Sequence, residues 1–267
     1  MPLSRRSLLT ACLAGAAQVC AWRAAAQPAS APVVAAASDL QFALEEIAGA
    51  FEKETGQRVK LAFGSSGNFT RQIRQGAPFQ LFLSADEQYV LDLAREGHAK
   101  DEGKLYAIGH IVIFVPHGSP LEPDGTLADL EAALRDGRLR KFAIANPEHA
   151  PYGKRAEEAL RRRGLWEKIK DRLVLGENIS QTAQFASSPS TQGGIIAYSL
   201  ALSPKVSATG RFGLIPSDWH APVRQRMALL RNAGPAAEAF YAFLQREPAR
   251  AILARYGFEV PGEQGRL

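Results

Sequence analysis

Cysteine is nearly missing from the 267 residues: there are two, Cys12 and Cys20, and both lie within the first 26 positions. Without that segment the chain has no thiol. A disulfide framework is then excluded, and the fold must rest on its core alone. Acidic residues are absent from the same segment, where Arg5 and Arg6 precede an apolar run from Leu8 to Ala21 and then Ala24, Ala25 and Ala26. A basic start, an apolar middle too short to span a bilayer stably and a small-residue cleavage site describe a secretory signal peptide over residues 1–26. Ser4-Arg5-Arg6-Ser7-Leu8-Leu9 fits a twin-arginine signal, and an ordinary Sec signal with two arginines fits it as well.

Several function classes lack their residues. There is no G-x-S-x-G elbow and no H-E-x-x-H, and His98, His110, His117, His149 and His220 are scattered with no pair four apart. The chain therefore reads as a non-enzyme. The formal net charge of +5 falls to +2 when the segment's three arginines, Arg5, Arg6 and Arg23, leave with it. No basic stripe with interleaved aromatics remains, which argues against nucleic acid as a partner. The run Arg161-Arg162-Arg163 is better explained as a solvated helix end.

What is present is an ordinary globular composition, 46% apolar and 22% charged, long enough for one large domain or two modest ones. Short apolar runs at Val33 to Ala37, Val59 to Phe63 and Phe79 to Ser84 alternate with amphipathic stretches. In the first of these, Leu40, Leu44, Ile47 and Phe51 form one helical face. The order strand–helix repeated three times predicts an open α/β sheet with right-handed crossovers. Leu105 to Pro116 reads as strands leaving a first lobe for a second, and Met227 to Leu230 as the return crossing. The expected division is 33–112 plus 227–267 for lobe 1 and 113–226 for lobe 2.

Four strand-to-helix turns carry the candidate chemistry. Ala37-Ser38-Asp39-Leu40 offers Ser38 as an N-cap with Gln41 completing a capping box. Phe63-Gly64-Ser65-Ser66-Gly67-Asn68 places Ser66 at the next helix start. Asn146 to Gly153 is a proline-stiffened turn with Tyr152 at its end, and Glu177-Asn178-Ile179-Ser180 is the fourth. Each can be a cap and no more. Two hydroxyl-tipped turns from adjacent strands would converge on one point, where free N–H groups and the positive ends of helix dipoles favour an anion.

In order and with compatible spacing, AAASDL, FGSSGNFTRQI, GAPFQLFLSAD, NPEHAPYGKRAEEAL, GENI, GGIIAYSLA and RYGF resemble the periplasmic molybdate-binding proteins of bacterial ABC importers, over nearly all of residues 33–260. The resemblance implies an α/β fold, a two-lobed periplasmic binding protein clamp in which each lobe is an open sheet flanked by helices and the ligand sits in the interlobe cleft. It implies Ser38 and Ser66 as ligand-binding residues from the first lobe, with the backbone N–H of Asp39. From the second it implies Tyr152 and the backbone of Ile179. It further implies no cofactor, a bound molybdate or tungstate, an inner-membrane ABC permease as partner, a monomer, and a periplasmic location after cleavage of the signal. Sulfate, another oxyanion or a small organic anion is the alternative cargo. One departure stands out: where some members carry a ligand tyrosine this chain has Ala197, and Tyr198, one residue later, would face the other side of a strand. A carboxylate beside a dianion is also unfavourable, so the Asp39 side chain is expected to turn away, toward the helix dipole or a cation.

Overall fold

The computed structural model describes residues 31–262. The expected signal peptide lies outside the described residues. Ten strands form two five-stranded sheets. The first sheet holds β1 (Val33–Ala37), β2 (Lys60–Gly64), β3 (Leu81–Ser84) and β4 (Lys104–Gly109). The second holds β5 (Ile111–Pro116), β6 (Phe142–Ala145), β7 (Leu173–Gly176), β8 (Gly194–Ala197) and β9 (Gly210–Leu214). The chain then returns to the first sheet with β10 (Val223–Leu229). Strand order is β2-β1-β3-β10-β4 in one sheet and β7-β6-β8-β5-β9 in the other. In each, four strands share one direction and one runs against them: β10 in the first sheet and β5 in the second.

The two lobes share this plan because each parallel strand feeds a helix that must pack back on its own sheet. In β1, Val34 and Ala36 join one core while Ala35 joins the core on the opposite face, which is the strand's period of two with both faces covered. The helices Gln41–Thr55, Pro235–Phe243 and Glu247–Arg255 cover the first face; Ser66–Arg74 and Glu87–Arg95 cover the second. The second lobe closes around a single larger core that includes Ile113, Phe114, Phe142 and Ile195. The long apolar stretch before Pro116 is two strands in different sheets, and His110 is the residue between them.

Three local expectations are corrected. The return strand starts at Val223, four residues before the apolar run, because its first half alternates buried Val223 and Gln225 with partly or fully exposed arginines. Tyr198 is the first residue of the short helix Tyr198–Ala201 and does not continue β8. Ser38 does not cap the Gln41–Thr55 helix: it opens a 3₁₀ turn, Ser38–Leu40, with no side-chain cap bond, and Leu40 stands at the helix start.

Candidate functional site

The turns after β1, β2, β6 and β7 meet in one small cavity between the sheets, of about 10 Å³ and partly open to solvent. Ser38, Asp39, Ser66, Tyr152 and Ile179, the five expected residues, all line it, and so does Ser65, which in the sequence stands out only as part of the turn. This is the carboxyl edge of the parallel strands, where open α/β sheets take ligands.

Three helix starts aim at the cavity. Ser66 is the first residue of Ser66–Arg74, Tyr152 the second of Pro151–Arg162, and Ile179 the first of Ile179–Ala186. N–H groups in a first helical turn have no intrahelical acceptor and sit at the positive end of the dipole. The real caps are their neighbours. Ser65, not Ser66, accepts from the Asn68 N–H, and Asn178 accepts from the Gln181 N–H. The caps satisfy donors one turn in, and the N–H groups of Ser66 and Ile179 at the first helical position keep no intrahelical acceptor.

The hydroxyls are partly committed. Ser66 Oγ accepts from the Ala85 N–H at 3.0 Å, which leaves its own O–H as a donor. Ser38 Oγ accepts from the Ser180 N–H and donates to Asn178 Oδ1, both at 3.1 Å across the lobes. Ser65 Oγ pairs with His149 Nδ1 at 3.0 Å, and the Gly67 N–H donates to the His149 carbonyl at 3.0 Å. Residues from the two sheets' turns are therefore hydrogen-bonded directly around the cavity.

The Asp39 carboxyl meets no cation; the backbone N–H groups of Asp39 and Leu40 at the helix start hold it, as do two side chains. Its Oδ2 accepts from the Tyr152 phenol at 2.9 Å and from Gln225 Nε2 at 2.6 Å, and Tyr106 donates to Gln225 Oε1 at 2.6 Å. The Tyr152 hydroxyl is thus spent on Asp39, and what Tyr152 offers the cavity is its backbone N–H. Burial pushes the Asp39 carboxyl up to about 6, with the bonds from Gln225 and Tyr152 restraining the rise. Burial also pushes the Tyr106 and Tyr152 phenols up, and the Asp39 charge adds to it. Gln225 and His149 were invisible to sequence reasoning. Each meets its partner across a large gap in the chain, 186 and 84 residues, and no local pattern marks either.

Among the described residues there is no group of three or more His, Cys, Asp or Glu side chains placed to hold a metal ion, and no helix is long and apolar enough to cross a membrane. The arrangement can hold a compact anion by neutral donors.

Comparison with known proteins agrees with this geometry. The family model described as bacterial extracellular solute-binding protein matches residues 32–259. The chain is 34% identical over 250 residues to the molybdate-binding protein ModA of Rhodobacter capsulatus, covering 92% of this chain and 95% of that one. It is 33% identical over 228 residues to the ModA of Azotobacter vinelandii, covering 84% and 88%. The solved Azotobacter vinelandii periplasmic molybdate-binding protein superimposes with a TM-score of 0.77 at 28% identity, over 86% of this chain and 99% of that chain. The chain belongs to the bacterial extracellular solute-binding protein family and is a homologue of its molybdate-binding members.

Proposed function

We propose that the protein captures molybdate, and tungstate with it, in the periplasm and delivers it to an inner-membrane ABC permease. On this reading it acts as a monomeric carrier that reaches the periplasm through a cleaved signal peptide, and it has no catalytic step. The observation that carries the reading is the donor set. Around one small cavity Ser66 supplies a free hydroxyl donor, Ser38 a hydroxyl that turns from Asn178 to the ion, and Asp39, Tyr152 and Ile179 backbone N–H groups.

Molybdate at neutral pH is a deprotonated dianion whose four oxygens only accept hydrogen bonds. Neutral donors satisfy it without a buried counter-charge. Hydrogen bonds to a charged group contribute about 1.5–3 kcal/mol each, so four or five support sub-micromolar binding after ordering costs. Phosphate near pH 7 keeps a proton that needs an acceptor. Sulfate matches in charge and is smaller, so pocket size alone separates it from molybdate; tungstate matches in both. Titration calorimetry with molybdate, tungstate, sulfate and phosphate tests the reading. Sub-micromolar binding of the first two, and weaker or no binding of the others, is expected. Tighter binding of sulfate or phosphate would replace the assigned cargo.

A further inference from the structure

Among the residues that line the cavity, Asp39 alone carries a carboxyl group. It is 2% exposed. Its two oxygens differ: Oδ2 holds both the Tyr152 phenol and the Gln225 amide, whereas Oδ1 is buried with no hydrogen-bond partner. Four elements face the residue. The Pro151–Arg162 helix brings Tyr152, β4 brings Tyr106, β10 brings Gln225, and the Tyr198–Ala201 helix brings Ser199, whose hydroxyl holds the Asp39 carbonyl at 2.8 Å. None of these is a cation. Both phenols are held protonated by burial, so the carboxyl is the group at this junction that titrates near neutrality.

A buried, ionised carboxylate with no counter-charge and a dianion lining up in the same small cavity repel each other where the dielectric is low. The repulsion is relieved if the carboxyl takes a proton, and Oδ1 is the oxygen with room for one. We propose that Asp39 enters the complex as the neutral acid, so that each dianion bound takes up one proton from solvent, carried on Oδ1. No bond of the ion is made or broken. The donors around the cavity meet its oxygens, and Asp39 changes from a repelling acceptor into one more donor-bearing group. The proposal rests on the reading of the cargo as a dianion.

The sign follows from linkage. Binding favours the protonated form, so the carboxyl titrates higher in the complex than its value of about 6 in the free chain. Between those two values affinity falls about tenfold per pH unit as pH rises, and below the lower one it is flat. Asp39→Asn keeps a neutral group of the same shape and removes the proton. It binds more tightly than the parent at pH 8, and its affinity no longer depends on pH.

Calorimetry of the full chain with sodium molybdate, and separately sodium sulfate, between pH 6.5 and 8.5 in pairs of buffers with different ionisation heats reads the proton count directly. Uptake close to one proton per ion in the parent, lost in Asp39→Asn, is the expected result. Binding by the parent with no proton uptake and no change of affinity across that range overturns this proposal alone. So does an Asp39→Asn variant that keeps the parent's uptake. A parent that binds neither ion overturns the assigned cargo and this proposal with it. The parent measurement stands by itself if the variant does not fold.

Discussion

Gly67 sits in the first turn of Ser66–Arg74 and joins the two lobes through its N–H, which donates to the His149 carbonyl at 3.0 Å. A β-carbon there would lie 2.7 Å from that carbonyl oxygen, 3.0 Å from His149 Cα and 3.0 Å from the Tyr89 hydroxyl. Two of the three obstacles are backbone and cannot swing aside. Gly67→Ala therefore strikes the junction between the lobes and not the helix, where alanine is the better former by roughly 0.8–1 kcal/mol. In the closed form the methyl group forces the lobes apart. The cost is one interlobe hydrogen bond, about 0.5–1.5 kcal/mol, and an overpacking term of about 1–3 kcal/mol. Together these weaken ligand binding by about 1.5–4.5 kcal/mol, a factor of roughly ten to two thousand. Open and closed forms differ in their contacts, and a ligand that bridges the lobes draws its second set of bonds only from the closed one. The variant should thus keep or slightly raise its melting temperature without ligand, yet lose affinity in calorimetry. Small-angle scattering should show it failing to contract with molybdate. A Gly67→Ala variant that binds and contracts like the parent would refute the inference that the bond to His149 forms part of closure.

The remaining expectations follow from the same network. Tyr152→Phe removes one of two bonds to Asp39 Oδ2 and leaves the backbone N–H in place. It should cost about 1 kcal/mol, near fivefold in Kd, and a loss above a hundredfold would mean the phenol itself meets the ion. Ser38→Ala and Ser66→Ala should each weaken molybdate binding by about 1–3 kcal/mol, and Ser66→Ala should also lower stability without ligand, since the buried Ala85 N–H loses its acceptor. Equal affinity in both serine variants would remove them from the site. Molybdate at about 100 times its Kd should add roughly 2.7 kcal/mol of stability in thermal unfolding while phosphate at that concentration adds none. Without ligand, the Asp39 carboxyl is raised from 3.8 to about 6 in the folded chain. The folded state therefore holds this proton more tightly, and stability declines as pH rises through that window, by about 3 kcal/mol in all. Asp39→Asn should be more stable than the parent at pH 7 by up to that amount, with the difference gone near pH 4 in denaturant titrations.

The four turns were legible in the sequence because each is a local event: an apolar strand ends, small polar residues follow, and a helical period begins. That pattern places Ser38, Ser66, Tyr152 and Ile179 at strand ends, and the fold brings those ends to one cavity. What the pattern misjudges is which neighbour does which job. Ser65 and Asn178 cap, the residue after each opens its helix, and a one-residue choice of this kind depends on backbone angles that composition does not encode. Strand β9, Gly210–Leu214, carries two glycines and an arginine and gives no apolar run; pairing with β5 makes it a strand. The start of β10 is hidden for a related reason. Gln225 is fully buried on it, and a buried glutamine looks like a surface residue until its partners Tyr106, Asp39 and Tyr152 are seen.

Those partners also bear on how recognition and closure relate. Asp39 belongs to the turn after β1, Tyr152 to a helix carried by the second sheet, and Gln225 to the strand on which the chain returns from one sheet to the other. Ser38 reaches Asn178 and Ser180, and Ser65 and Gly67 reach His149. In every case a residue that lines the cavity, or its immediate neighbour, is also one that ties the lobes together. Removing a side chain from the cavity therefore loosens the clamp, and breaking a hydrogen bond between the lobes opens the cavity. Double-mutant cycles between Ser38 and Asn178, or between Gly67 and Ser66, should accordingly show coupling in ligand affinity, of about 0.5–3 kcal/mol for residues in one network. Strict additivity in both pairs would separate the interlobe bonds from the anion site.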